Sequence, residues 1–346
     1  MAPGPLLHAD ADAFFASVVL RSRPELASVP MAVVAHVFVA SANYPARALG
    51  VTGGMLADEA LRLQPDLVLV DVPRAEVEEV GDALFDLFHE CARAVEPGSV
   101  EEAFLDVAAR DWGDAVHAGH ELRRRAAGEL GIPVSVGVGR TKLMAKLASR
   151  AAKPDGLHVI GPAREAGLRT ALPIAEVWGV GAATRDRLAH LGVERLGDVG
   201  GVPRALLQQV CGTAMARRLW RICDGTDDAT VRTVEDRTVI SAEGTTSGYG
   251  RADASAADLV ATCVTRACHR AGRAGLVASG LTLTLRAEEG PPVVARCSLR
   301  DATSSPEPVR AAAQELLSST PDLAVLAARV ALTGLVPAGR VQPTLF

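Results

Sequence analysis

Lysine is nearly missing from this chain. Of its 36 basic side chains only Lys142, Lys146 and Lys153 are lysines, and all three fall inside one twelve-residue window. A chain that uses arginine everywhere else keeps a compact ammonium there, which suits a site that meets polyphosphate. Net positive charge is lacking too: the formal charge is −5 at pH 7. Bulk positive charge is therefore excluded as a means of holding nucleic acid, and any such binding must come from local patches. The cysteines Cys91, Cys211, Cys223, Cys263, Cys268 and Cys297 form no CxxC pair and have no metal-ligand spacing with histidine. That pattern excludes a thiolate zinc site and reads as reduced, mostly buried thiols. No apolar run is long enough to span a bilayer; the most apolar late stretch, 323–336, is interrupted by Arg329. The N-terminus has no basic region followed by an apolar core, so no signal peptide is expected. These absences together predict a soluble, cytoplasmic protein with no membrane partner.

At 346 residues and 49% apolar content, the chain can build two or three domains with sizeable cores. Its organising stretch is Ser99 to Val107, where Glu101 and Glu102 stand just before an apolar run that reads as a strand. Strand neighbours point to opposite faces, so the pair reaches one point only if the backbone twists there. A third acid is available from His8-Ala9-Asp10-Ala11-Asp12, which follows the short apolar strand Leu6 to Ala9. Acids at the ends of strands far apart in sequence suit an oxygen-rich Mg²⁺ site working on phosphates. Taken alone, an acidic pair is more often a solvated turn. Asp12 reads as the cap of a helix over Ala13 to Arg21, with Phe14 and Val18 on one stripe and Phe15 and Val19 on the next.

The next segments alternate in type. Met31 to Ala42 reads as a strand or hairpin, Asn43-Tyr44-Pro45-Ala46-Arg47 opens a short helix, Asp58 to Leu63 is a helix, and Leu67 to Val72 a fully buried strand. Glu76 to Val95 and Ala115 to Leu130 carry helical stripes, and Arg123-Arg124-Arg125 reads as a solvated helix face. Val134 to Gly139 is a strand, Thr141 to Ala151 a helix, and Leu157 to Ile160 a strand after the turn Lys153-Pro154-Asp155-Gly156. From Gly161 the texture changes to short helices with glycine turns. Gly179-Val180-Gly181 would let backbone N–H groups face a phosphate, although an ordinary helical connector has the same look. Val231 to Ser241 reads as a linker. A βαββαβ pattern follows: Gly244 to Tyr249, Ser255 to Ala274, Gly280 to Arg286, Val293 to Leu299, Ser305 to Leu317 and Leu323 to Leu335. Arg286, Arg296, Arg300 and Arg329 are its candidate DNA-facing cations.

The two acidic segments, the Asn-Tyr-Pro-Ala-Arg stretch and the Ala-Lys-Pro-x-Gly turn, in that order, resemble the Y-family translesion DNA polymerases, and especially the DNA polymerase IV group. The resemblance implies an α+β multidomain, right-hand polymerase with palm, fingers, helix-hairpin-helix thumb and βαββαβ little finger. Its parts would be a palm of 1–21 and 73–165, fingers of 22–72, a thumb of 166–232, a linker of 233–242, a little finger of 243–336 and a tail of 337–346. It also implies Asp10, Glu101 and Glu102 as catalytic acids and the Ala11 carbonyl as a further ligand, holding two Mg²⁺ ions, with Mn²⁺ as an alternative. Glu101 stands where the family usually has aspartate. Tyr44, Arg47 and Lys153 match residues that hold the triphosphate of a dNTP, and Phe15 stands at the family's steric gate. Gln342, Leu345 and Phe346 resemble a sliding-clamp-binding peptide. The implied activity is template-directed, low-fidelity DNA synthesis by a monomer on primer–template DNA. The alternative is a weak or inactive relative acting as a clamp-bound adaptor in repair.

Overall fold

The structure is a computed structural model, and it describes residues 4–35, 37–227, 230–233, 238–246, 255–287, 290–321 and 324–341. The chain divides into two compact units, Met1–Arg21 with Arg74–Arg232, and Ser22–Pro73 with Thr233–Phe346.

The first unit is built on a five-stranded sheet. Its strands are β1 (Leu6–Ala11), β5 (Ala94–Pro97), β6 (Glu102–Asp106), β7 (Val134–Gly139) and β8 (Leu157–Ile160), in the order β5-β6-β1-β7-β8. β1 lies between β6 and β7, antiparallel to both, so Asp10 stands opposite Glu102 on one side and Ser135 on the other. Helices α1 (Phe14–Ser22), α4 (Arg74–Cys91), α5 (Trp112–Arg125) and α6 (Lys142–Ala152) accompany it.

β7 reads Val-Ser-Val-Gly-Val-Gly, and its period of two sorts Val134, Val136 and Val138 from Ser135, Gly137 and Gly139. The glycines let α6 lie directly on the strand. A Cβ on Gly137 would come within 2.1 Å of the Ala145 carbonyl and of the Ser149 nitrogen, and one on Gly139 within 2.4 Å of the Ala145 nitrogen. Thr141 caps α6 by accepting from the Met144 N–H. Elsewhere on α6, Leu143, Met144 and Ala148 join a core with the helical remainder: α7 (Pro162–Ala171), a 3₁₀ turn at Ile174–Glu176, α8 (Ala182–Ala189), α9 (Arg204–Cys211) and α10 (Thr213–Cys223). A buried ion network stitches this end. Glu165 accepts from Arg140 and Arg169, and Arg169 also donates to the Ile222 carbonyl at 2.6 Å and meets Asp227 at 2.7 Å.

The second unit holds two sheets. One is the hairpin β2 (Met31–Ala35) and β3 (Phe38–Ala42) with β4 (Val68–Asp71) parallel to β2, accompanied by α2 (Tyr44–Ala48) and α3 (Ala57–Leu63). The other has β9 (Val239–Thr245), β10 (Leu276–Arg286), β11 (Val293–Thr303) and β12 (Ala327–Pro337) in the order β11-β10-β12-β9, with α11 (Ala256–Arg273) and α12 (Pro306–Ser318) packed on it. Its chain order is the βαββαβ pattern read from the sequence.

Several local expectations change. The helix expected to reach Val95 ends at Cys91, because Val95 is 1% exposed opposite Leu105 as part of the edge strand β5. β4 is only half-buried, being the edge of its sheet. Arg123 and Arg125 are not a solvated face. Arg123 donates to the Val134 carbonyl and pairs with Asp155, while Arg125 bridges Glu90 and Glu129. The first strand of the C-terminal sheet starts at Val239, inside the expected linker, because Ile240 and Ala242 are needed in the core.

Gly137→Ala should cost about 3 kcal/mol or more in urea unfolding, since the obstacle is helix backbone that cannot step aside. Gly167→Ala, with nothing within 4 Å of its Cβ in α7, should be neutral or stabilising by up to about 1 kcal/mol.

Candidate active site

The site is assembled where β1 and β6 end side by side. Period two places His8 and Asp10 along one face of β1, Asp12 follows in the turn just past its end, and Glu102 opens β6 opposite Asp10. Glu101 precedes the strand, so strand alternation does not force it away from Glu102. Its carbonyl accepts the Ala11 N–H at 3.0 Å, which ties the acidic turn to the end of β1.

Helix α6 supplies the opposite charge. Lys142, Lys146, Ser149 and Lys153 fall at i, i+4, i+7 and i+11, one stripe of an α-helix with Lys153 as its C-cap. Each meets one polar group of the sheet. Lys142 pairs with Glu96 on β5 at 2.5 Å, Lys146 donates to Glu102 on β6, and Lys153 donates to Asp10 on β1 at 2.7 Å. Ser149 meets the buried His8 Nδ1 at 2.7 Å and donates to the Lys146 carbonyl at 2.9 Å. With its one proton spent there, Ser149 accepts from His8 Nδ1–H, and Nε2 is left as an acceptor. Nε2 has no hydrogen-bond partner; it stands 3.4 Å from the Glu102 carboxylate, without hydrogen-bond alignment.

These contacts set the protonation states. Burial would raise the pKa of Glu102, but the Lys146 ammonium bonded to it holds it well below the usual carboxylate range. The neutral His8, whose Nε2 offers a lone pair and no proton, adds nothing to that. Burial keeps His8 below its ordinary value and therefore neutral. Glu101 goes the other way. Burial, then the negative charges of Asp10 and Glu102, push it up to about 7.

Asp12 is fully buried and does not cap α1, contrary to expectation. Its carboxylate accepts from Ser135 Oγ at 2.9 Å and from the Asp155 N–H at 2.6 Å. It thereby pins the turn that carries Lys153 toward Asp10. Burial raises its pKa as well.

The structure brings Asp10, Glu102 and Lys153 together and adds His8 and Lys146, which the sequence reading missed. The ligand atoms of His8, Asp10 and Glu102 all lie within 4.8 Å of one another, and Glu101 is outside that set. The signals were present: the two-residue spacing of His8 and Asp10, and the helical spacing of the lysines. Ala11 is buried, and Phe15 is half-buried in edge contact with the core residue Phe14, 5.7 Å between centroids. Tyr44 and Arg47 belong to the second unit, where they form their own pair with the guanidinium 5.3 Å from the ring centroid. Arg47 Nε also donates to the Ala42 carbonyl at 2.7 Å. Asn43, buried at 3% exposure, sets their helix by accepting from Ala46 N–H and Met31 N–H. Gln342, Leu345 and Phe346 lie outside the described residues.

The donor set fits a hard divalent cation. Carboxylate oxygens dominate, and the negative charges of Asp10 and Glu102 add to burial in holding a proton on Glu101 near neutrality.

The impB/mucB/samB family profile matches residues 9–150, and the profile of the C-terminal domain of that family matches 237–345. A DNA polymerase-iota thumb-domain profile matches 175–227. The chain is 37% identical over 284 residues to DNA polymerase IV 2 of Mesorhizobium japonicum, covering 81% of this chain and 68% of that one. It is 38% identical over 247 residues to DNA polymerase IV of Pseudomonas putida strain GB-1, covering 69% of each. Among solved structures, an insertion ternary complex of Dbh DNA polymerase aligns with a TM-score of 0.74 at 23% identity, over 96% of this chain and 99% of that one. DinB from Sulfolobus solfataricus aligns at 0.70 and 23%, over 95% and 98%. At that identity the likeness is one of fold.

A testable pH dependence follows from Glu101. An acid whose folded pKa is raised from 4.5 to about 7 contributes stability that is complete below 4.5 and lost as pH rises through about 7. A divalent cation reverses the preference by favouring the ionised form. Mg²⁺ or Mn²⁺ affinity should therefore rise between pH 6 and 8, with proton release on binding, and Glu101→Gln should flatten both. Calorimetric titration in buffers of different ionisation enthalpy measures this.

Proposed function

The chain belongs to the impB/mucB/samB family, the Y-family DNA polymerases, and from that membership we propose how its residues share the work of copying DNA. It is a DNA-directed DNA polymerase of translesion synthesis, template-directed and of low fidelity. No observation favours the inactive adaptor. The observation that carries the site assignment is the pairing of Asp10 with Glu102 across β1 and β6, each met by a lysine of α6.

In this reading Asp10, Glu102, Glu101 and the Ala11 carbonyl hold two Mg²⁺ ions, or Mn²⁺ in their place. Bound there, the ions would lower the pKa of the primer 3′-hydroxyl and stabilise the pyrophosphate leaving group. Lys153 leaves Asp10 and turns to the triphosphate of the incoming dNTP. Tyr44 offers its hydroxyl and Arg47 its outer guanidinium nitrogens to the same phosphates, while Ala42 holds Arg47 through Nε. Phe15 lies beneath the sugar, where a ribose 2′-hydroxyl would clash.

The parts take these roles: palm 1–21 and 73–165, fingers 22–72, thumb 166–232, linker 233–242, little finger 243–336 and tail 337–346. Gln342, Leu345 and Phe346 dock on a sliding clamp. That tether compensates the weak hold of an acidic protein on DNA by raising its local concentration. The protein acts as a cytoplasmic monomer; among the described residues no helix is long and apolar enough to cross a membrane.

Primer extension on a short primer–template tests the assignment. Asp10→Ala and Glu102→Ala should each lose about 10³-fold or more in rate with either metal. Phe15→Ala should admit ribonucleotides at least about tenfold better while keeping deoxynucleotide extension. Full activity in either acid variant would refute the site.

A further inference from the structure

Trp178 is 45% exposed in the turn before α8, an uncommon place for a large ring. It is not idle there. Its ring centroid lies 5.6 Å from that of Phe104, two residues along β6 from Glu102. The Arg218 guanidinium of α10 lies 5.4 Å from the same ring, and the Lys146 ammonium 5.6 Å. The turn is shaped for this. Gly179 has φ +89°, and a Cβ on it would stand 2.4 Å from Arg218 Nη1. The positive φ is what calls for glycine, and its missing Cβ leaves room for the end of the arginine.

Lys146 therefore has two attractors of different kinds, the Glu102 carboxylate that it touches and the face of an aromatic ring beside it. A divalent cation taking the Glu102 oxygen repels the ammonium, and the quadrupole of the ring offers it a second resting place. Tryptophan is the strongest such acceptor, and its half-exposed setting keeps the ammonium partly hydrated. We propose that Lys146 is the chain's own counter-cation for Glu102 and that Trp178 is the seat to which it moves when a divalent cation takes that carboxylate. Both are positioning residues for metal entry. The inference rests on the metal reading of Asp10 and Glu102.

Lys146 competes with the metal, whereas Trp178 aids the metal by receiving Lys146. Substitutions at the two positions should therefore act in opposite directions. Magnesium or manganese chloride is titrated into the full chain, followed by calorimetry and tryptophan emission. Lys146→Met should bind Mg²⁺ about threefold or more tightly, and Trp178→Leu about threefold or more weakly. The double variant should match Lys146→Met alone, because Trp178 acts only through the lysine. The metal-induced change in emission should disappear in Trp178→Phe and in Lys146→Met. Lys146→Gln, which keeps a donor to Glu102, guards against a folding defect and should also lose the emission change. Trp178→Leu weakening Mg²⁺ equally in the Lys146→Met background would overturn the proposal, as would an unchanged affinity in Lys146→Met. Asp10→Ala separates the two readings. If it binds Mg²⁺ as tightly as the intact chain, the metal reading and this inference fall together. If it loses binding while the lysine and tryptophan variants do not respond, only the inference falls.

Discussion

Three carboxylates brought to one place in a half-buried cleft repel one another, and the first unit is arranged around offsetting that repulsion. Asp10 and Glu102 become neighbours because β1 pairs with β6, and Glu101 is drawn in by the bond between its carbonyl and Ala11. The compensation comes from a single helix. α6 reaches the acids only because β7 presents glycine at 137 and 139, so the backbone of the helix rests on the strand. A stability feature at β7 is in this way a precondition for the electrostatics at β1 and β6. The compensation does not reach Glu101, where burial first and then the charges of Asp10 and Glu102 keep a proton in place.

Much of this was legible in the sequence, and the limits have physical reasons. Strong periodicity gave the strands Val134–Gly139 and Leu157–Ile160 and the βαββαβ order of the C-terminal sheet. The Asp10 and Glu102 segments were recognisable from residue type and spacing. Asp12 was misread because a cap and a buried anchor look alike in sequence: an acid just ahead of a helix. Only the partners Ser135 and Asp155, more than a hundred residues away, decide between them. His8 was passed over because its partners Ser149 and Glu102 also come from distant segments. The lysine window stands out in the sequence, though only Lys153 matches a family position there. The spacing that makes it a stripe acquires meaning only when the helix has something to lie on.

Edges were less legible than centres. β4 and β5 sit at the margins of their sheets, where one side is open and the hydrophobic signal is halved. The arginines of α5 read as solvated charge in sequence, because nothing local distinguishes a cation facing water from one reaching Asp155 or Glu90. Asn43 stands where a cap for α2 belongs, but nothing local shows that the same oxygen also binds Met31.

The strand order has a consequence for how the chain comes off the ribosome. β1 emerges first but occupies the middle of its sheet, and its partner for Asp10 lies more than ninety residues later. The lysines that offset the acids come later still, at 142–153. Until that segment is available, the nascent N-terminal portion holds a strand with open edges and acids without counter-charge, so it cannot close as a unit by itself. Completion of the sheet and neutralisation of the site thus fall to the same stretch of about thirty residues, from β7 through β8. A folded first unit is one whose acids already have their counter-charges.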